Sequence, residues 1–504
     1  AEAGLQILRQ GGNAVDAALA AAAALPVVEP TSNGIGGDLF AIVCRDGKLF
    51  GINSSGPAPQ SLTPEALKDA GHEWEIPRYG WLPVTVPGVP AGWAALNRRF
   101  GRFSLAEVVE PAARYAEEGY PVSPITSFFW KRCAEQYKKL LTYPECQGWF
   151  DVFAPQSRGP EPGEVWKNEH MADSLRSIGE SQGESFYRGD LAKKILEFSQ
   201  STGGYLRDND LAAYEPEWVD PISVNYRGYT VWELPPNGQG LVALIALGIL
   251  DGLAYEPEGV QWTHAMIEAV KMAFADGFHW VTDPDEMMID PKRLLQPAYL
   301  QSRRKELGAQ AIMRSPGRVD PGGTVYLAVA DGEGTMVSLI QSNYVAFGSG
   351  VVVPETGVAL QNRGHGFSLD PTHCNYLRPG RRSYHTIIPG FLTKAGNPIG
   401  PFGVMGGFMQ PQGHVQVLSR CLDQGLNPQA ALDAPRFFWS DGLVVDVEAS
   451  MPASLVTSLR ERGHAVRVTR DVTPFGRGQI IWNQPGGVLA GGTEPRTDGM
   501  VSPW

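Results

Sequence analysis

The amino-acid sequence predicts a mixed α+β fold, and three observations carry that reading. Residues 126–235 read as mainly helical until a strand at Tyr226–Trp232, and residues 255–310 are again helical with many aromatics. From Thr324 onward the pattern is strand-dominated. At the junction, Gly322-Gly323-Thr324 opens two β-rich runs, Thr324–Ala330 and Thr335–Ser342, separated by Asp331-Gly332-Glu333-Gly334. A Gly-rich turn between two β-rich runs is a hairpin signal. Helices and strands that segregate along the chain, rather than alternate, point to α+β.

Taken in order, residues 1–30 read as two helices around Gly11-Gly12-Asn13-Ala14-Val15-Asp16-Ala17. Asn13 or Asp16 is the candidate cap of the Ala-rich second helix, and Pro26 and Pro30 mark its end. The glycine loop Gly34-Ile35-Gly36-Gly37 precedes a strand, Leu39–Arg45, and a second follows near Leu49–Asn53. A phosphate-cradling loop follows a strand and opens a helix, so this order is the reverse of a nucleotide site. Leu105–Glu118 reads as a helix. Pro235-Pro236-Asn237-Gly238-Gln239-Gly240 bends into an apolar run that ends near Ala254. That run and Ala17–Val28 are shorter than the ~18–20 residues of a membrane span and read as buried helices. Residues 311–323 turn polar and Gly/Pro-rich, which suits an exposed, cleavable linker. Helices are expected again near Gln412–Asp423 and Pro428–Ala434.

Composition narrows the function classes. A net charge of −12 argues against nucleic acid or an anionic membrane as partner. Five scattered cysteines without a Cys-x-x-Cys spacing argue against a disulfide framework and for a reducing, cytoplasmic setting. No signal peptide is read at Ala1–Leu5. His365, His373, Cys374 and His385 lie close in sequence, but their spacings match no common zinc pattern, so neither metal nor cofactor is expected.

Thr324 has two local explanations. A β-branched residue suits the start of a strand. A threonine after two flexible glycines also suits a self-cleaving Gly323–Thr324 bond that leaves Thr324 as a new N-terminus.

Motifs along the chain favour the second explanation. Gly11–Ala18, Gly34–Gly37, Pro235–Gly240, Thr324 with Asp331, Phe347-Gly348-Ser349-Gly350, Gly406-Gly407, Ala434-Pro435-Arg436-Phe437 and Pro495-Arg496-Thr497-Asp498-Gly499 resemble, in order, the motifs of the γ-glutamyltranspeptidase family. The resemblance implies an N-terminal-nucleophile hydrolase with a four-layer αββα sandwich, made as a precursor. It implies a large subunit of residues 1–323, a small subunit of residues 324–504, and an assembly of the homodimer-of-heterodimers kind. Thr324 takes the nucleophile's place, Gly406 and Gly407 the oxyanion hole, and Ser342 an orienting hydroxyl. The chemistry is coherent: a threonine hydroxyl needs a base, and the α-amine freed by cleavage, with a reference pKa of about 8, is one.

Departures from the family pattern bear on the substrate. Where γ-glutamyl-binding members carry an arginine for the α-carboxylate, this chain has Leu62. Where they carry an acidic residue for the α-amine, it has Gly366; Arg363 stands at their glutamine, Tyr344 at an asparagine, and His385-Thr386 at a Ser-Ser pair. A site without these partners binds a zwitterionic glutamyl head poorly, because unpaired charges in a closed site are costly. A guanidinium at Arg363 suits a carboxylate without an α-amine. The resemblance then points to the acylase and amidohydrolase branch. There a small acid amide of the oxamate type is favoured, with Arg363, Tyr344, His385 and Thr386 as substrate-binding residues. Cephalosporin or glutaryl acylase and glutathione hydrolase are the alternatives. Arg363 as a solvated surface arginine is the competing reading.

Overall fold

The computed structural model describes residues 1–314 and 322–504. Part of the expected linker, residues 315–321, falls outside them.

Two antiparallel sheets form the centre. In the first, the strand order is Glu217–Val219, Lys48–Ser54, Asp38–Arg45, Met336–Ser342, Val325–Ala330. In the second it is Leu489–Thr493, Arg477–Asn483, Asn397–Met405, Gly390–Lys394, Tyr229–Glu233, Ile222–Tyr226. Alternation along strand Asp38–Arg45 explains the layering, since successive side chains point to opposite faces. Leu39, Ala41 and Val43 join the core built with helices Ala14–Val28, Val89–Phe100 and Leu105–Glu118. Phe40, Ile42 and Cys44 point the other way and meet Tyr326, Ile340, Phe391 and Met405 between the sheets. On the far side of the second sheet, Leu392, Phe402, Val404 and Ile480 pack with helices Gly240–Leu250, Val260–Trp280 and Met409–Leu422. The order helix, sheet, sheet, helix is the expected four-layer αββα sandwich.

The sheets meet closely at Gly403, where a Cβ would lie 2.4 Å from the Tyr326 ring. Both long apolar runs are buried helices, and no helix among the described residues is long and apolar enough to cross a membrane.

Element boundaries differ from the sequence reading in three places. Strand structure returns at Glu217–Val219, before Tyr226, because that short segment completes the edge of the first sheet through Gly51↔Val219. A three-stranded sheet, Phe437–Asp441, Val444–Glu448 and Ala465–Thr469, has no counterpart in the expected elements. Asn13 caps the second helix in a capping box with Asp16, but Pro26 does not end it. A proline removes the N–H that would bond the carbonyl four residues back. Here that carbonyl, Ala22 O, accepts from Gln341 Nε2 at 2.8 Å, and the same nitrogen donates to Asn33 Oδ1 at 2.7 Å. The helix runs through Pro26 because a side chain of strand Met336–Ser342 replaces the missing donor.

Gln341→Leu is therefore expected to leave Ala22 O and Asn33 Oδ1 without this donor and to cost about 1–3 kcal/mol. A urea midpoint equal to that of the wild type at unchanged m would contradict this account.

Candidate active site

The hairpin places Thr324 at the entry of strand Val325–Ala330, opposite the end of strand Met336–Ser342, with Val325 in register with Gln341. Thr324 and Ser342 are buried, and their hydroxyls lie 3.1 Å apart. Across the uncut bond, Thr324 Oγ1 is 2.6 Å from Gly323 O and Ser342 Oγ donates to the same carbonyl at 2.7 Å. Ser342 Oγ in turn accepts from Tyr344 N at 2.8 Å, and Gly323 N donates to Tyr344 O at 2.8 Å. The Gly323 carbonyl is thus polarised by one hydroxyl while a second sits beside it, a geometry suited to attack by Thr324.

Gly406 and Gly407 close this site from the second sheet, at the end of strand Asn397–Met405 and before helix Met409–Leu422. Their φ values of +134° and +60° belong to the region that favours glycine. A Cβ on Gly322 would lie 3.2 Å from Gly407 Cα and from Tyr344 O, so the chain entering the scissile bond is pressed against this pair. Gln410, in the first turn of the helix, reaches Thr324 Oγ1 with Nε2 at 3.4 Å while its Oε1 accepts from Ile388 N at 2.9 Å. Gln410 escaped the sequence reading because nothing local marks it; only the fold brings residue 410 to residue 324.

The Pro235–Gly240 motif ties this corner together. Gln239 Nε2 donates to Thr386 O at 2.7 Å and to Gly407 O at 2.9 Å, and Asn237 Nδ2 donates to Ser383 O at 2.8 Å. One buried glutamine therefore links the glycine pair to the segment that carries Thr386.

That segment walls a cavity of about 190 Å³, lined among others by Tyr344, Arg363, Gly366, Ser368, Tyr384 and Thr386. Arg363 is 1 % exposed, so it is not a surface arginine. Its Nη1 donates to Thr386 Oγ1 at 3.1 Å, and its guanidinium lies 3.9 Å from the centroid of the Tyr344 ring. Its Nε and Nη2 have no hydrogen-bond partner among the described residues. Burial is the main cause of a guanidinium pKa lowered to about 10, partly opposed by Tyr344 and Asp38, and the group stays charged at neutral pH.

Four of the residues singled out in the sequence are gathered at the bond (Thr324, Ser342, Gly406, Gly407), and three line the cavity (Arg363, Tyr344, Thr386). His385 is in neither group. It points away from the cavity, stacks on Phe40 at 4.9 Å, and its Nε2 lies 3.0 Å from Asp38 Oδ2. Its Nδ1 accepts from Ile387 N, so Nε2 carries the proton and donates to Asp38. Burial dominates both partners, holding the imidazole neutral and pushing the Asp38 carboxyl up to about 7 against the pull of Arg363. Leu62 is buried in a small apolar cluster with Phe367, and a Cβ on Gly366 would meet nothing closer than 3.6 Å.

The grouped histidines of the sequence part company: His365 engages Ile76 O and Arg78, His373 caps Asn375 N, and His385 takes Asp38. Among the described residues, the side chains that approach one another with metal-ligating atoms are His264, Glu268 and His464. Several of their ligating atoms are engaged, while the buried His464 Nδ1 has no hydrogen-bond partner among the described residues. His264 Nε2 faces Gly308 O, its Nδ1 faces His464 Nε2, and Glu268 pairs with Lys271 at 2.7 Å.

A four-layer αββα sandwich with a threonine hydroxyl set on the carbonyl of the preceding glycine defines the class of N-terminal-nucleophile hydrolases. Within it, this chain belongs to the gamma-glutamyltranspeptidase family, whose profile matches residues 1–504. It is similar to a glutathione hydrolase-like YwrD proenzyme of Bacillus subtilis, at 38% identity over 99% of this chain and 96% of that protein. It is also similar to an oxamate amidohydrolase proenzyme of Klebsiella pneumoniae, at 35% identity over 99% and 96%. A crystal structure of cephalosporin acylase from Bacillus halodurans superposes with a TM-score of 0.97 at 59% identity, covering 100% of this chain and 94% of that one. The protein is an enzyme of a family that hydrolyses amide C–N bonds.

Arg363 gives a stability prediction whose sign follows from linkage. Its folded-state pKa of about 10 lies below the ordinary 12.5, so the charged form is disfavoured on folding. That penalty is fully present below pH ~10 and is relieved as pH rises toward 12.5. Arg363→Met removes it and is expected to melt no lower than the wild type at pH 7.5, despite the lost Thr386 bond. A clear drop in Tm would show that the guanidinium is structural.

Proposed function

We propose that the protein is a self-processing threonine acylase that removes an acyl group ending in a free carboxylate, of the glutaryl type. The observation that carries this reading is Arg363, a buried cation on a cavity wall that has, among the described residues, two unsatisfied nitrogens and no carboxylate in ion-pair contact. A buried charge is ordinarily paired, and the partner supplied by a substrate is an anion in two-point contact with the fork. Thr324 is not among the residues lining that cavity, so an acyl group that reaches both needs a spacer between its carbonyl and its carboxylate. This favours a glutaryl-type chain over oxamate, whose carboxylate is bonded directly to the reacting carbon. The bulky side chains nearby leave room for such a chain: His385 points away, and the Arg363 guanidinium lies over the Tyr344 ring. Likeness to a cephalosporin acylase supports the reading, and likeness to an oxamate amidohydrolase keeps oxamate as the second substrate to assay.

The chemistry assigned to Thr324 runs twice. In maturation its Oγ adds to the Gly323 carbonyl carbon, the C–N bond breaks, the proton goes to the departing amine, and water hydrolyses the resulting ester. The new α-amine then takes the Oγ proton when Thr324 attacks substrate and gives it to the leaving amine. Gly406 and Gly407 are assigned the oxyanion, with Gln410 and Ser342 orienting the hydroxyl. The processed fragments are residues 1–323 and 324–504, in keeping with the similar proteins being proenzymes.

Thr324→Ala is expected to remain a single full-length chain without activity; two fragments would remove Thr324 as the processing nucleophile. In a matched assay of amine or ammonia release, glutaryl amides should be turned over faster than oxamate and far faster than γ-glutamyl anilides. Preferred turnover of the γ-glutamyl compound would overturn the substrate reading. Arg363→Met should raise KM for the glutaryl amide by roughly 10- to 150-fold, the value of a hydrogen bond to a charged group, with a smaller effect on kcat. An unchanged KM would detach Arg363 from the substrate.

A further inference from the structure

Near the scissile bond lies a carboxylate that the mechanism above does not use. Glu29 follows helix Ala14–Val28, and its side chain turns back onto the loop it opens. Its Oε1 accepts from Thr31 Oγ1 and, at 3.2 Å, from Ser32 Oγ, while Asn33 Nδ2 approaches Oε2 at 3.4 Å. Ser32 flanks Gly323, the residue before the bond to be cut: a Cβ on Gly323 would lie 3.3 Å from Ser32 Cα and 3.4 Å from Ser32 Cβ, with Ala346 N at 3.1 Å. Ser32 O also accepts from Asn343 N at 3.4 Å, next to Ser342. Asn33 is fixed from behind by Gln341, the neighbour of Ser342 on the other side. Glu29 therefore stands one residue away from Gly323, with the hydroxyl of that residue in its grasp.

We propose that Glu29 is a positioning residue for Thr324, holding Ser32 against Gly323 before cleavage and setting, by its charge, the protonation of the α-amine that cleavage frees. The inference rests on Thr324 being the nucleophile. Glu29 reaches Thr324 by way of Ser32 and Gly323. At an effective dielectric constant near 20, a unit charge roughly 10 Å away moves an amine pKa by about one unit. A carboxylate favours the ammonium form and so delays the appearance of the free base as pH rises.

The charged and titratable groups facing Glu29 are Arg477, from strand Arg477–Asn483, and the thiol of Cys133, from helix Pro124–Leu140. Arg477 is itself shared with Glu494, Asp498 and Asp471. Burial pushes the Glu29 carboxyl up to about 7, against the Thr31 hydroxyl and Arg477, so it titrates in the range where the amine must act. Two groups this close titrate as a pair.

The test is the pH profile of kcat/KM for the matured wild type, Glu29→Gln, Glu29→Asp and Ser32→Ala, on the amide turned over fastest in the panel above. Glu29→Gln should move the acid limb down by about one pH unit. Glu29→Asp, which keeps the charge, should leave the limb near its wild-type position. Ser32→Ala should shift it in the same direction as Glu29→Gln by less, and carries the test if Glu29→Gln does not mature. An acid limb of Glu29→Gln, or in its place Ser32→Ala, that superimposes on the wild type would overturn the proposal. That failure is separable from failure of the Thr324 reading, which shows as cleavage of Thr324→Ala.

Discussion

The pairing of strand Asp38–Arg45 with strand Met336–Ser342 is the constraint on which the rest of the structure depends. It runs antiparallel from Asp38↔Ser342 to Cys44↔Met336 and joins the part of the chain before Thr324 to the part after it. Because the register is fixed by burial of both faces, a one-residue slip would exchange Leu39 and Ala41 with Phe40 and Ile42 between two different cores. The same register puts Ser342 beside Thr324 and Asp38 beside His385, so core packing sets the position of the reacting groups. The ladder and both cores join residues before Thr324 to residues after it, so a chain cut at 323–324 as proposed would be held together by them.

Around this ladder the site accumulates charge that burial disfavours. Asp38 and Glu29 both have carboxyl pKa values raised to about 7, chiefly by desolvation, and Arg363 is lowered to about 10 for the same reason. For the two carboxyls the native state binds more protons than the unfolded chain between pH ~4 and ~7, so stability contributed by their neutral forms is lost as pH rises through that window. Each group lies within one or two contacts of Thr324 or of the cavity.

How much of this was legible in the sequence depended on the range of each interaction. The hairpin, the Asn13 cap and the two buried helices follow from neighbours in the chain, and the structure has them. Thr324, Gly406 and Gly407 stood out through motifs that repeat a family pattern. Gln410 did not stand out and Gln239 stood out only as part of the Pro235–Gly240 motif, because their roles consist of reaching residues about 90 to 170 positions away. Pro26 misled because the rule for proline counts only the helix's own donors, whereas Gln341 supplies one from another strand. His385 misled for a related reason. Sequence places it next to Thr386 on the cavity wall, but adjacent residues in an extended segment face opposite ways, and Asp38 claims its ring.

That opposition of faces also leaves Arg363, rather than His385, on the cavity wall. Asp38 has a neutral imidazole, the Gln361 amide and the Gly56 N–H as partners, so its carboxylate is satisfied without the guanidinium. Arg363 is left with Thr386 and the face of Tyr344, a hydroxyl and a π-cloud, neither of which neutralises it. A cation–π contact in a dry site is worth about 2 kcal/mol, less than a buried guanidinium needs to offset its lost hydration. Among the described residues Arg363 thus has Asp38 only at longer range and no carboxylate in direct contact, which is the imbalance that the proposed carboxylate-bearing acyl group would relieve.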